Sequence, residues 1–191
     1  QYRAINNFVH FLESGESSGY IILPPGAGKT ALMAIIIALT RERALLLMPL
    51  ANLPEQARQE FLTHIKLPAH DIGIVSEGKA DIGRPVTMST YQAHIRRMKD
   101  DPAYRTTVQQ CDLIVCDEAQ TSLGDATTKS IDDIDRATDT VLEDLSTYTS
   151  GTAMKIGMTA TPDIIGKSVR SRFQTLIHRE FHSTLAREGD I

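Results

Sequence analysis

The chain has no tryptophan, only five phenylalanines and five tyrosines in 191 residues, two cysteines and no strong excess of either charge. Cys111 and Cys116 cannot staple a chain of this length, and the cysteine–histidine spacings of a zinc site are absent. A disulfide-framed secreted scaffold is thereby excluded, and a reducing compartment is expected. A net charge of -4 excludes a basic field over the whole surface, so any contact with nucleic acid must be local. The apolar run at 34–39 is far too short to cross a bilayer, and residue 1 opens a mixed polar stretch with no signal-like apolar core. We therefore expect an intracellular protein without a membrane partner, cytoplasmic, or nuclear in a eukaryote. The lack of an initiating methionine and the polar stretch before Ile191 suggest an excised segment.

No repeat, low-complexity tract or Pro/Gly-rich linker divides the chain, and 41% hydrophobic residues are enough to bury one core. A single domain over 1–191 is expected. Short β-rich apolar runs at 19–23, 44–48, 72–75, 86–89, 113–116 and 155–158 alternate with helical patterns at 2–13, 31–39 and 53–65. This alternation is the mark of βαβ units. It predicts an α/β fold with a mostly parallel sheet and helices on both faces. Residues 125–144 carry seven acidic side chains against Lys129 and Arg136, and apolar residues from Ile131 to Tyr148 recur at helical spacing. An amphipathic, charged outer helix is expected there.

The strand ending at Leu23 runs into Pro24-Pro25-Gly26-Ala27-Gly28-Lys29-Thr30 and then an apolar helix. Glycines 26 and 28 let backbone N–H groups turn inward as an anion cradle, the helix N-terminus adds its positive end, and Lys29 supplies a cation for β and γ phosphates. Thr30 would hold Mg²⁺ through its hydroxyl. The sequence departs from the full G-x-x-x-x-G-K-[ST] pattern at Leu23. A phosphate loop also needs a carboxylate for the metal and a base for the attacking water at the end of a neighbouring buried strand. Asp117 and Glu118, directly after Leu113-Ile114-Val115-Cys116, supply the two. Asp117 is read as the metal carboxylate and Glu118 as the residue that polarises water. Cys116 is read as a buried strand residue, since no histidine lies nearby in sequence to activate it.

These residues resemble the superfamily-two helicases and translocases, in particular their first RecA-like domain. Pro24 to Thr30, with Pro25, Gly26, Ala27, Gly28 and Lys29 lining the nucleotide, looks like motif I, which often lacks the first glycine. Asp117-Glu118-Ala119-Gln120 looks like motif II, the DEAD or DEAH box, with glutamine in fourth place and Gln120 counted with the catalytic set. Met158-Thr159-Ala160-Thr161-Pro162 resembles motif III, which implies that Thr159 and Thr161 couple hydrolysis to movement. Gln1, 28 residues before Lys29, sits where the adenine-reading glutamine would be. Pro49, Leu50 and Gln56 resemble motif Ia, and Thr87 to Gln92 a T-Y-Q segment. These two segments imply contacts to nucleic-acid phosphates from Pro49, Leu50, Gln56, Thr90 and Arg96. The T-Y-Q segment and the tail containing Gly166 and Phe173 look most similar to the branch of type III restriction enzymes and DNA-repair helicases.

The resemblance implies ATP and Mg²⁺ as cofactors, ATP hydrolysis coupled to movement on DNA or RNA, with DNA the preferred partner, and a second RecA-like domain as partner. Motifs IV to VI, including an arginine finger, have no counterpart after Thr161, so the isolated chain should be a weak or inactive ATP hydrolase. A regulatory nucleotide switch and a protein-remodelling ATPase are the competing readings. The pair Asp117 and Glu118 argues against the switch, which needs no water-positioning carboxylate. Phe8, Phe11 and Phe61 stand at helical spacing and are read as core rather than base-stacking platforms. Lys66, Lys79, Arg84, Arg97 and Lys99 are read as solvated surface, and His178 and His182 as surface histidines.

Overall fold

The computed structural model of the chain describes residues 2–65, 67–76, 78–119, 153–160, 163–164, 167–169 and 173–180. The expectations for Gln1, Lys66, Gln120, Thr161, Gly166, His182 and the helix within 125–148 lie outside the described residues.

Helix α1 (Tyr2–Glu13) opens the chain, followed by β1 (Ser18–Ile22), α2 (Lys29–Thr40), β2 (Ala44–Met48) and α3 (Leu53–His64). After a 3-10 turn at Ala69–Asp71 come β3 (Ile72–Val75), β4 (Val86–Thr90), α4 (Tyr91–Asp100), α5 (Pro102–Gln109) and β5 (Leu113–Cys116). Then follow β6 (Met154–Thr159), a two-stranded antiparallel pair of β7 (Asp163–Ile164) and β8 (Lys167–Ser168), and β9 (Thr175–Arg179).

Seven strands form one sheet in the order β3-β4-β2-β5-β6-β1-β9. Every pairing in it is parallel, so the expected α/β class with a parallel sheet is borne out. Consecutive residues of the strands point to opposite faces, and each face has its own core. Ile21, Leu46, Met48, Val115 and Met158 pack with α1, α2 and α3, including Phe8, Phe11 and Phe61. Tyr20, Leu45, Leu47, Ile114 and Cys116 pack with Tyr91, Met98, Tyr104 and Val108 of α4 and α5 on the other face. The three phenylalanines are thus core, and Phe8 and Phe11 stack with ring centroids 6.1 Å apart.

The edges of α1, β2, β3 and β5 agree with the sequence reading to the residue, and α2, α3, β1, β4 and β6 shift by one or two at one or both ends. Helices α4 and α5 and strand β9 were not anticipated. The two helices carry local signals in their capping residues. Thr90 Oγ1 accepts the Ala93 amide at the start of α4, and Asp101 accepts the Tyr104 amide, with Pro102 in the first turn of α5. One reading is corrected. His178 lies in β9 and is largely buried, with its Nδ1 3.2 Å from Asn7 Nδ2 on α1, because β9 runs beneath that helix. Arg84 and Arg97, read as solvated, engage Asp81 and Asp101, and Arg97 also donates to the Ser76 carbonyl. Both cysteines are buried and unpaired as disulfides, and burial pushes the Cys111 thiol up to about 12.

Candidate nucleotide site

In a parallel sheet all carboxyl ends lie along one edge, and ligands bind there where the strand order reverses. Here β1 feeds α2 and then β2, three places away in the sheet, with β6 and β5 in between. The loops after β1, β5 and β6 therefore meet over the same stretch of edge, and they are the three segments that the sequence motifs single out.

The loop after β1 is shaped by two left-handed residues. Gly26 and Gly28 both have φ 79°, a conformation that side-chain-bearing residues rarely adopt. Ala27 N–H turns back onto the Pro24 carbonyl at 3.2 Å, and Gly28 caps α2 without help from any side chain. The first-turn amides of a helix have no intrahelical acceptors. A Cβ added at Gly26 would meet no atom within 4 Å, so the loop is open on that side rather than packed. This is a cradle of donors at the positive end of a helix, which fits a polyphosphate. Pro25 is exposed, and Thr30 is half-buried in the first turn of α2. Leu23 explains the missing first glycine. Its side chain is fully buried in the core, and its amide is spent on the Thr159 carbonyl at 2.9 Å, so the loop turns only after it.

Lys29 forms an ion pair with Glu118, reaching over the end of β6 from the loop of β1 to that of β5. Burial holds the Lys29 ammonium below its usual pKa, an effect that the negative charge of Asp117 opposes. The same burial pushes the Asp117 carboxyl above the usual carboxylate range, with Lys29 acting against it. A buried carboxyl group, Asp117, and a half-buried one, Glu118, facing one ammonium make a pocket that accepts further cationic charge, as a divalent ion with oxygen ligands requires. Glu118 sits at φ 48°, one of two non-glycine residues in the left-handed region among the described residues. Three backbone N–H donors help to hold this turn. Asp117 N–H donates to Leu47 of β2 at 2.8 Å, Ala119 N–H to Met158 of β6 at 2.7 Å, and Glu118 N–H to the Asp117 carboxylate at 2.9 Å.

The structure thus brings together Gly26, Gly28, Lys29, Asp117, Glu118 and Thr159. It leaves Gln56 on α3, Thr90 at the end of β4 and Arg96 on α4, further along the same sheet. Leu50, Gln56 and Arg96 are exposed, whereas Thr90 is buried and its oxygen already caps α4. Sequence reading placed Tyr91 in the T-Y-Q segment but gave it no role; its buried hydroxyl donates to the Asp117 carbonyl at 3.0 Å. Sequence reading missed an open cavity of about 620 Å³ between α1 and β9, lined by Arg3, Asn7, His10, His178 and Arg179 among others. Among the described residues, no three His, Cys, Asp or Glu side chains are grouped to hold a metal by themselves. No helix there is long and apolar enough to cross a membrane.

Comparison with known proteins gives a consistent picture. The family model described as "Type III restriction enzyme, res subunit" matches residues 1–164. The chain is similar to "DNA 3'-5' helicase XPB" of Mycobacterium tuberculosis, 35% identical over 103 residues, which is 53% of this chain and 19% of that protein. A protein of the same name from Kineococcus radiotolerans is 35% identical over 99 residues, 52% of this chain and 17% of that one. The chain thus spans less than a fifth of the length of these curated relatives. Among solved structures, the helicase domain of Pyrococcus furiosus Hef superposes with a TM-score of 0.72 at 22% identity, covering 96% of this chain and 39% of that one. A nuclease-deletion mutant of the Type ISP restriction-modification enzyme LlaGI, in complex with a DNA substrate mimic, gives 0.64 at 21% identity, covering 98% and 20%. At these identities the likeness is one of fold.

Proposed function

The chain belongs to the family of the type III restriction enzyme res subunit, and from that premise we propose that it is the ATP-binding half of a DNA helicase or translocase. The observation that carries the proposal is the ion pair between Lys29 and Glu118 beside the open, glycine-shaped loop. It joins the phosphate-binding segment to the acidic segment over one strand end.

In this reading the amides at the start of α2 bind the phosphates and Lys29 exchanges Glu118 for the γ phosphate. Thr30 and Asp117 hold Mg²⁺, which when bound neutralises charge developing on the phosphate oxygens. Glu118, released from Lys29, accepts a hydrogen bond from the attacking water and orients it. Gln1 reads the base. Gln120 and the motif III hydroxyls, Thr159 and Thr161, respond to the state of the phosphates. Pro49, Leu50, Gln56 and Arg96 contact the sugar-phosphate backbone of one strand, which positions it without reading its sequence. A second RecA-like domain supplies the arginine that completes the site, and such an arginine is worth about 10³ to 10⁵ in rate in phosphoryl transfer.

The test is ATP turnover by the full-length protein with and without single-stranded DNA or RNA, alongside Lys29→Ala and Glu118→Gln. Turnover that DNA stimulates, and that both substitutions abolish, is expected. Stimulation by RNA alone would move the substrate class. Turnover indifferent to either polymer would favour a protein-remodelling ATPase, and tight nucleotide binding without turnover a regulatory switch.

A further inference from the structure

The peptide linking Asp117 to Glu118 is gripped at both ends. Its N–H, that of Glu118, donates to the Asp117 carboxylate at 2.9 Å, and its carbonyl, that of Asp117, accepts the Tyr91 hydroxyl at 3.0 Å. Orientation of this peptide plane sets the φ of Glu118, which is 48°. A non-glycine residue there is strained by about 1–3 kcal/mol and stays only where its surroundings over-determine it. Tyr91 is one of those surroundings. It is buried, it follows β4 directly, and it reaches β5 across the end of β2, a span of roughly 10 Å for two strand spacings.

Tyr91 also opens α4, with Thr90 as its cap and exposed Gln92 as its neighbour. Any ligand that shifts Thr90 to Gln92 therefore moves the Tyr91 ring, since the three share one strand end and one helical turn. Lys29 approaches Glu118 over β6 from the other side. The carboxylate that orients water is thus held between the phosphate loop and the T-Y-Q turn. We propose that Tyr91 is a positioning residue that transmits occupancy of the nucleic-acid strand at the T-Y-Q turn to Glu118 through the Asp117 carbonyl. This rests on the proposed function, because it needs a strand at that turn. It adds a route separate from the motif III threonines.

The experiment measures two quantities on the full-length protein: the affinity for a fluorescent ATP analogue with and without oligo(dT) or oligo(U), and the ratio of stimulated to unstimulated turnover. Coupling between sites is reciprocal in the binding measurement. Tyr91→Phe keeps the ring and removes the hydroxyl. Its nucleotide affinity without polymer should stay within about twofold of wild type, while coupling and stimulation fall about fivefold, the size of one net hydrogen bond. Tyr104→Phe is the control, because it removes another buried hydroxyl, bonded to His94 Nδ1 at 2.8 Å, from the helix next to α4. It should lower the melting temperature and leave coupling intact. Full coupling in Tyr91→Phe, or equal loss in Tyr104→Phe, would overturn the relay while leaving the helicase reading standing. If wild type itself shows no coupling to either polymer, both fall together.

Discussion

Leu23 N–H donates to the Thr159 carbonyl at 2.9 Å, and one residue earlier in β6 the Met158 carbonyl accepts Ala119 N–H at 2.7 Å. Adjacent carbonyls of one strand thus hold the approach to the phosphate loop and the acidic turn. A small displacement of the end of β6 would reach both, which is the route by which the proposed coupling through Thr159 would act.

Thr159→Ala leaves these backbone bonds in place and removes only the buried hydroxyl and methyl. In the full-length protein we expect nucleotide affinity within about twofold of wild type, since the residue is asked to hold neither phosphate nor metal, and more ATP consumed per length of strand traversed. Both rates are to be measured on one preparation. A proportional fall in the two would make Thr159 structural.

Asp117→Asn should separate function from stability. The folded Asp117 carboxyl titrates above its unfolded value because of burial. Its stabilising contribution is therefore fully present at low pH and is lost as pH rises from the unfolded pKa through the folded one. The variant should match wild type near pH 3 and gain on it in melting temperature toward pH 7. Magnesium-dependent nucleotide binding should vanish. Melting curves at several pH values give the first result, and a titration in the presence of EDTA and of Mg²⁺ gives the second.

His94 sets the acid limb. Its ring is fully buried, its Nε2 has no hydrogen-bond partner among the described residues, and burial lowers its pKa to about 3. The unfolded chain takes up this proton first, so stability falls as pH drops from about 6.5 toward 3, by up to 1.4 kcal/mol per pH unit. Replacing His94 with Phe should flatten that limb by one proton, read as the slope of urea-unfolding free energy against pH. An unchanged slope would mean that the ring titrates normally.

Gly157 of β6 faces Phe173, and a Cβ there would stand 2.7 Å from the ring. Gly157→Ala should cost about 1–3 kcal/mol by overpacking, and adding Phe173→Leu should recover part of it. Thermal melts of the two single variants and the double variant test this. Strict additivity would mean that the two positions do not touch in solution.

Much of the site was legible in the sequence because its signals are local. Glycines at 26 and 28 announce left-handed backbone, an apolar run followed by two carboxyl residues announces a buried strand with charges at its end, and alternation of strand and helix announces a parallel sheet. Gly157 and Phe173 show the opposite case. Phe173 was noticed as a motif residue, yet its fit against a bare strand position is visible only once β6 is in place.

The sequence by itself determined the phosphate loop, the acidic strand end and the edges of β2, β3 and β5, since each depends on residues within one turn or one strand. Only the tertiary structure decided which loops face one another. Lys29 meets Glu118 because β6 is inserted between β1 and β5, Tyr91 meets Asp117 because β2 lies between β4 and β5, and His178 is buried because β9 runs beneath α1. Strand order is set by crossovers spanning tens of residues, and no local pattern carries it.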